Sequence, residues 1–380
     1  MNREQQQDTA PRRAIFISSP DLWRHGFGGK HPLKPERLAR TVALLEGYDA
    51  FAADNATIVE PRPATDEELA RFHTHEYIQI VKALSDGNLP NVPARRHGFG
   101  AGDNPVFKGM DKVSRLKAGG GLVGAEMLLS GACHVAFNFS GGLHHAMPSK
   151  ASGFCIYNDI AVTIAWLLTQ GRRVAYVDID AHHGDGVQAA FEDTDQVLTI
   201  SLHQDGHTLF PGTGFVDETG RGAGEGTSVN VPLYPQTDDE TYLWAFREVV
   251  PPLVRRFAPD VLVSQLGVDT HYTDPLTYMG LTTAGHEALF QEFAALTPGK
   301  WFACGGGGYN LDVVPRSWTL AFGVMSEQAF PDELPQSYRD QYGGQWLHDR
   351  DPAPIDRATR DRARRRAEEV VAAVKDRFEI

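Results

Sequence analysis

The 380-residue chain predicts an α/β fold in which a mostly parallel central sheet is covered by helices on both faces. Three observations lead there. Short apolar runs rich in β-branched residues alternate with longer amphipathic segments along nearly the whole sequence. Polar residues suited to chemistry stand directly after several of these runs, where ligands bind in such sheets. The composition, 42% hydrophobic, 10% aromatic and 22% charged, is that of an ordinary globular protein. No low-complexity stretch or long linker divides the chain, so a single domain is expected over 14–380. The polar start, 1–13, lacks an apolar core and reads as a flexible tail, not a signal peptide.

Strands are expected over 14–18, 134–137, 174–179, 197–202, 261–266 and 301–304. Helices are expected over 35–45, 75–84, 118–129, 159–168, 237–257, 283–295 and 356–377. Pro35 at an early helical position and Thr237-Asp238-Asp239-Glu240 ahead of another segment mark two helix starts. The last helix is rich in arginine (357, 360, 362, 364–366) and reads as a solvated face, with Val370, Val371 and Val374 docking. Residues 119–124 satisfy G-x-G-x-x-G, but 112–117 before them are no strand, so dinucleotide binding is rejected.

A net charge of −13 argues against a nucleic-acid surface and is compatible with a cationic partner such as a lysine-rich peptide or a polyamine, although most of the charge reads as the ordinary acidity of a soluble protein. The longest apolar run, near 160–168, is too short to span a bilayer. Cys133, Cys155 and Cys304 are scattered without C-x-x-C spacing, which disfavours disulfides or a cysteine zinc site and makes a reducing cytoplasm the default.

The segment Tyr176-Val-Asp178-Ile-Asp180-Ala-His182-His183-Gly184-Asp185-Gly186 carries the strongest chemical signal. Alternation along a strand points Asp178, Asp180 and His182 the same way, and the glycine turn can return Asp185 toward them. Three acids and an imidazole crowded together repel and are costly to desolvate unless something positive sits among them. Two carboxylates and an imidazole suit zinc with an open coordination position. Further polar groups follow other strands: Gly141-Gly142-Leu143-His144-His145, then Asp269, then Gly305-Gly-Gly-Gly308-Tyr309. Two imidazoles beside a metal are natural general acid/base groups.

Together these motifs resemble the zinc-dependent histone deacetylase and acetoin-utilisation protein superfamily, which includes bacterial deacetylase-like amidohydrolases. The resemblance covers about 14–325 in one consistent order. It includes His25-Gly-Phe-Gly28, His31-Pro-Leu-Lys-Pro-Glu-Arg37, Phe72-His-Thr-His-Glu-Tyr77 and Asp103-Asn-Pro-Val-Phe107. It continues through Gly153-Phe-Cys-Ile-Tyr-Asn-Asp159, Phe210-Pro-Gly-Thr-Gly214 and Gln265-Leu-Gly-Val-Asp269. The 31–37 stretch is most similar to the acetoin-utilisation branch.

What the resemblance implies is a three-layer α/β/α arginase/deacetylase fold and a zinc-dependent deacetylase acting on Nε-acetyl-lysine. Asp180, His182 and Asp269 would hold one Zn2+. His145 would be the main general base and then acid, His144 its partner, with Asp178 and Asp185 behind the two imidazoles. Tyr309 would donate to the oxyanion. Phe154 and Phe210 would wall the tunnel beside Gly153, Asp103 would grip substrate amides at the rim, and Leu276 would favour acyl-lysine over acetylpolyamine. Arg37 would line an acetate channel. Structural K+ would lie near the backbone of Asp178, Asp180, His182, Ser201 and Leu202, with a second site near Phe191, Thr194 and Val197. Hydroxamate-type inhibitors are expected ligands; nucleic acid and membrane are not expected partners.

An acetylated polyamine or another small amide is the alternative substrate. A non-catalytic acyl-lysine reader fits poorly with the intact set of candidate groups. An arginase-type manganese hydrolase would need a larger acidic set. His183, His203 and His207 read as packing or loop histidines, and Cys155 as no nucleophile.

Overall fold

The computed structural model describes residues 11–88, 93–100, 102–297 and 299–380; the tail expected over 1–13 falls outside them for its first ten residues. Eight strands form one sheet: β1 (Ala14–Ile17), β2 (Ala56–Val59), β3 (Val135–Asn138), β4 (Val174–Asp178), β5 (Val197–Gln204), β6 (Ser228–Leu233), β7 (Val261–Gln265) and β8 (Trp301–Cys304). Their order is β2-β1-β3-β8-β7-β4-β5-β6, and every pair is parallel. The expected α/β architecture is therefore present, with a sheet that is wholly parallel.

The helices are α1 (Glu36–Gly47), α2 (Asp66–Leu69), α3 (His75–Ser85), α4 (Met110–Leu129), α5 (Asp159–Thr169), α6 (Asp185–Phe191), α7 (Asp239–Phe257), α8 (Thr283–Leu296), α9 (Val314–Ser326), α10 (Gln336–Tyr342) and α11 (Arg357–Phe378). Strand residues alternate between two apolar layers. Phe16, Phe137, Val177, Ile200 and Trp301 face α1, α7, α8, α9 and α11, while Ile17, Ala136, Tyr176, Val263 and Phe302 face α4, α5 and α6. A third cluster, built on Tyr77, Ile78, Val81 and Leu122, packs α3 outside α4. On α11, Val371 and Val374 are buried in the first layer, and the Arg364 guanidinium lies 3.9 Å from the centre of the Trp244 ring.

Two edge strands depart from the sequence expectation. β2 exposes Ile58 (40%), and β6 contains Pro232, which removes a donor and weakens a strand reading. At an edge, one side of the strand needs no partner, so the missing N–H is tolerated. Helix α4 starts at Met110, ahead of the expected 118, because Arg115 reads as solvent-facing yet is buried against Asp111 and Asp66 at 2.8 and 2.7 Å.

Candidate active site

The four central neighbours β3, β8, β7 and β4 each end in a loop that delivers part of one cluster. After β3 come His144 and His145, after β8 Tyr309, after β7 Asp269, and after β4 Asp180, His182 and Asp185. Adjacency in the sheet gathers residues that lie far apart in the sequence.

At the centre, the His182 Nδ1 lies 2.9 Å from Asp269 Oδ2 and 3.1 Å from Asp180 Oδ1. All three side chains are buried, and one ligand atom from each lies within 4.8 Å of the others. The second oxygen of Asp180 accepts from Gln265 Nε2 at 2.6 Å and from the Gly307 N–H at 2.7 Å. The second oxygen of Asp269 accepts from the Ala181 N–H at 2.8 Å. Burial and the charge of Asp180 push Asp269 up to about 6. Burial opposes a charged His182, but hydrogen bonds to Asp180 and Asp269 raise it to about 10. Without a metal, the site thus calls for a proton between the two acids. A divalent cation satisfies the same demand more fully. The loop leaves room for it: a Cβ on Gly307 would stand 2.1 Å from Asp269 Oδ2 and 2.8 Å from Asp180 Oδ2. The donor set and this cradle fit a zinc-type ion.

Beside this cluster, His144 Nδ1 lies 2.8 Å from Asp178 Oδ2, and His145 Nδ1 lies 2.7 Å from Asp185 Oδ1. The two Nε2 atoms are 3.0 Å apart. Burial disfavours charge on both rings. For His144 it is outweighed by Asp178 and Asp180, which raise the ring to about 9. For His145, burial and the neighbouring His144 win, and the ring falls to about 4. The loop is held from below by Asp159, which accepts from the Gly142 and Leu143 N–H groups at 3.0 and 2.8 Å. Asn158 donates to the carbonyls of His144 and Ala146.

The cavity mouth is lined by Asp103, Phe154, Phe210, Leu276 and Tyr309, with His145 and His182 at its base. Phe154 adopts φ +69°, a strained conformation for a bulky residue, and its ring meets Tyr309 edge-on at 5.7 Å. Gly153 is required beside it, since a Cβ there would stand 2.3 Å from His145 Cδ2. Burial together with the charges of Asp269 and Asp180 pushes the Tyr309 phenol well above its ordinary range, so its hydroxyl stays a donor. Arg37 is buried, with Nη1 2.9 Å from Gly308 O and its guanidinium over the Trp318 ring.

Ser201 lies in β5, paired with Asp178 of β4, and Leu202 O accepts from Tyr242 Oη at 2.8 Å. Phe191, Thr194 and Val197 fall at the turn from α6 into β5, outside the cavity. His183 and His203 are buried in a network with Thr213, Gln188 and the Gly214 carbonyl, and His207 is bonded to Asp205 at the surface. Three neighbours of the site carry no assigned role in the sequence reading. Tyr176, two residues before Asp178 and hence on its face, donates to Asp178 Oδ2 at 2.5 Å; strand periodicity was the available signal. Gln265 closes β7, and its position at a strand end was the clue. Asp274 accepts from the Tyr309 and Leu276 N–H groups at 2.8 and 2.9 Å, a link with no local signature.

The order of these groups along the sheet agrees with the comparisons. The family model described as Histone deacetylase domain matches residues 31–325. The chain belongs to the histone deacetylase family. It is 44% identical over 313 residues to the acetoin utilization protein AcuC of Bacillus subtilis (strain 168), spanning 81% of this chain and 80% of that one. The AcuC of Staphylococcus xylosus is 39% identical over 330 residues, 85% of each chain. The crystal structure of an HDAC homolog from Aquifex aeolicus matches with a TM-score of 0.85 at 31% identity, covering 97% of this chain and 100% of that one. The crystal structure of an HDAC homolog complexed with SAHA matches to the same degree. Family membership makes the protein a deacetylase-type hydrolase and associates it with the acetoin-utilisation relatives.

Proposed function

We propose that the protein is a zinc-dependent amidohydrolase that removes the acetyl group of Nε-acetyl-lysine in proteins or peptides. The observation that carries this reading is the convergence of three groups of residues at one aromatic-walled cavity and its inner extension: the buried Asp180–His182–Asp269 set, the buried His144–His145 pair and the half-buried Tyr309. Asp180, His182 and Asp269 would hold the zinc, which when bound supplies Lewis acidity toward the acetyl carbonyl and toward water.

His145, with Nδ1 bonded to Asp185, presents Nε2 to take a proton from water as its oxygen attacks the carbonyl carbon. As the C–N bond breaks, the same nitrogen returns that proton to the leaving amine, giving lysine and acetate. His144, backed by Asp178, faces His145 across the 3.0 Å between the two Nε2 atoms and is the electrostatic partner that shares this proton. The Tyr309 hydroxyl donates to that oxyanion, a contribution of about 3 kcal/mol where such a donor is removed. Phe154 and Phe210 flank the lysine methylenes, Gly153 offers its carbonyl beside them, Asp103 meets substrate amides and Leu276 closes the apolar side of the mouth. Arg37 lies at the inner end, where acetate forms.

The backbone around Asp178, Asp180, His182, Ser201 and Leu202 is proposed to hold K+, and that around Phe191, Thr194 and Val197 a second ion. Residues 14–380 are proposed to act as one domain. Three buried free cysteines fit a reducing cytoplasm. The complex of an HDAC homolog with SAHA supports hydroxamate binding here.

The exposed Asp103 at the mouth and the net charge of −13 favour a second substrate class, a cationic acetylpolyamine. The deciding experiment is kcat/KM for an acetyl-lysine peptide beside an N-acetylpolyamine, on metal-analysed protein with and without chelator. Chelator-sensitive turnover favouring the peptide is expected; preference for the polyamine would overturn the lysine assignment.

A further inference from the structure

The peptide unit joining Gly308 to Tyr309 is held from both sides, by a guanidinium on its carbonyl and by a carboxyl group on its N–H. Its carbonyl accepts from Arg37 Nη1 at 2.9 Å, and its N–H donates to Asp274 Oδ2 at 2.8 Å. Arg37 and Asp274 are 4% and 8% exposed, so neither bond competes freely with water. We infer that Arg37 and Asp274 together form a clamp on this one peptide plane and act as positioning residues for Tyr309. The inference rests on the oxyanion-donor role proposed for Tyr309.

The physical need for a clamp comes from the sequence around it. Residues 305–308 are all glycine, and Gly306 and Gly308 sit at φ +145° and +133°. Gly308 carries no Cβ to resist a change of its own ψ, so on that side a flip of the 308–309 plane is opposed only weakly, and the rest of the turn falls on the φ of Tyr309. A peptide plane is rigid, however, and fixing both its carbonyl and its N–H fixes the direction in which the next Cα leaves it. A flip would turn the carbonyl toward the Asp274 carboxylate and the N–H toward the Arg37 guanidinium. The N–H would then face a guanidinium that offers only donors, and the carbonyl the oxygens that now accept, so both bonds would be lost and one orientation is selected. The Tyr309 ring then has its own φ and side-chain torsions left to settle, and its edge contact with Phe154 limits those.

The other oxygen of Asp274 accepts from the Leu276 N–H at 2.9 Å. The same carboxylate therefore ties the mouth segment to the loop that carries Tyr309. Thr273, its neighbour, adds a parallel tie, with Oγ1 accepting from Asn310 Nδ2 at 2.8 Å.

The test is a double-mutant cycle on zinc-loaded full-length protein, using whichever acetylated substrate the wild type turns over best. Asp274→Asn removes the charge and cannot accept from both N–H groups as the carboxylate does. In the wild-type background it is expected to lower kcat by about tenfold or more with KM nearly unchanged, and in a Tyr309→Phe background by less than about threefold. Equal losses in both backgrounds would mean a general structural effect and overturn the clamp. Arg37→Lys probes the other side of the same peptide. It is read by kcat/KM, which product release does not enter, and it must show the same dependence on Tyr309. A readout independent of turnover is the 19F signal of 3-fluorotyrosine at position 309, identified by its loss in Tyr309→Phe. One line in the wild type and a broadened or split line in Asp274→Asn is expected; identical spectra overturn the inference. If Tyr309→Phe alone works at the wild-type rate, the proposed function fails first and takes the clamp with it, whereas additivity removes only the clamp.

Discussion

Residues 119–121 in α4 and 305–308 after β8 are both runs of glycine, and the structure uses the missing side chain differently in each. In α4 the backbone stays helical and the glycines bring it close to its neighbours. A Cβ on Gly119 would stand 1.7 Å from the Arg62 carbonyl oxygen, and one on Gly121 2.2 Å from Thr163 Oγ1. After β8 the backbone takes conformations open mainly to glycine, and its N–H groups become partners: the Gly307 N–H reaches Asp180 Oδ2 at 2.7 Å. One tract seats a helix; the other lets main chain serve as part of a site. The pattern of letters alone does not separate these uses. Position after a buried strand does, because a strand end at the carboxyl edge of a parallel sheet faces ligands.

That contrast predicts which observable each substitution moves. The largest effect is expected from Gly307→Ala, whose Cβ would press on both candidate metal-binding carboxylates. Zinc content of the purified protein and kcat/KM should fall together, the latter by about 100-fold or more, because a carboxylate displaced by that clash no longer holds the ion. Full zinc with normal turnover would show that the cradle is not needed. Tyr309→Phe comes next: kcat should drop by about 100-fold while zinc content stays at the wild-type level. On the other tract, Gly119→Ala should cost about 1–3 kcal/mol in denaturant unfolding, with kcat/KM per folded molecule unchanged. Lost activity at unchanged stability would erase the distinction drawn between the tracts. Gly131→Ala, just past the end of α4 at φ +75° with nothing within 4 Å of its Cβ position, should cost only about 1 kcal/mol.

The sheet was legible in the sequence wherever strands are buried on both faces. Val135–Asn138, Val174–Asp178 and Val261–Gln265 are buried apolar runs that end in polar residues. The edges were not. β2 has an exposed Thr57-Ile58 pair and β6 a proline, so neither shows the pattern of a buried strand. Residues whose chemistry is concentrated in short motifs were legible too, and the structure gathers them. Asp274 was hidden because its meaning lies in a partner 35 residues away, and nothing in the local sequence encodes that pairing. Arg37 was visible, but its bond to Gly308, 271 residues on, depends on the packing of α1 beside β8's loop.

His144 and His145 meet Nε2 to Nε2 at 3.0 Å, while each Nδ1 faces an aspartate. One proton can sit between the two nitrogens; two would collide. The values of about 9 and about 4 bracket the interval over which the pair holds that one extra proton, and a cation beside Asp180 draws the upper bound downward. Two neighbouring residues thus behave as a single memory cell with two addresses. Writing a proton at one nitrogen erases the vacancy at the other, so in the proposed reaction the site would be loaded once per turnover and emptied before it is loaded again.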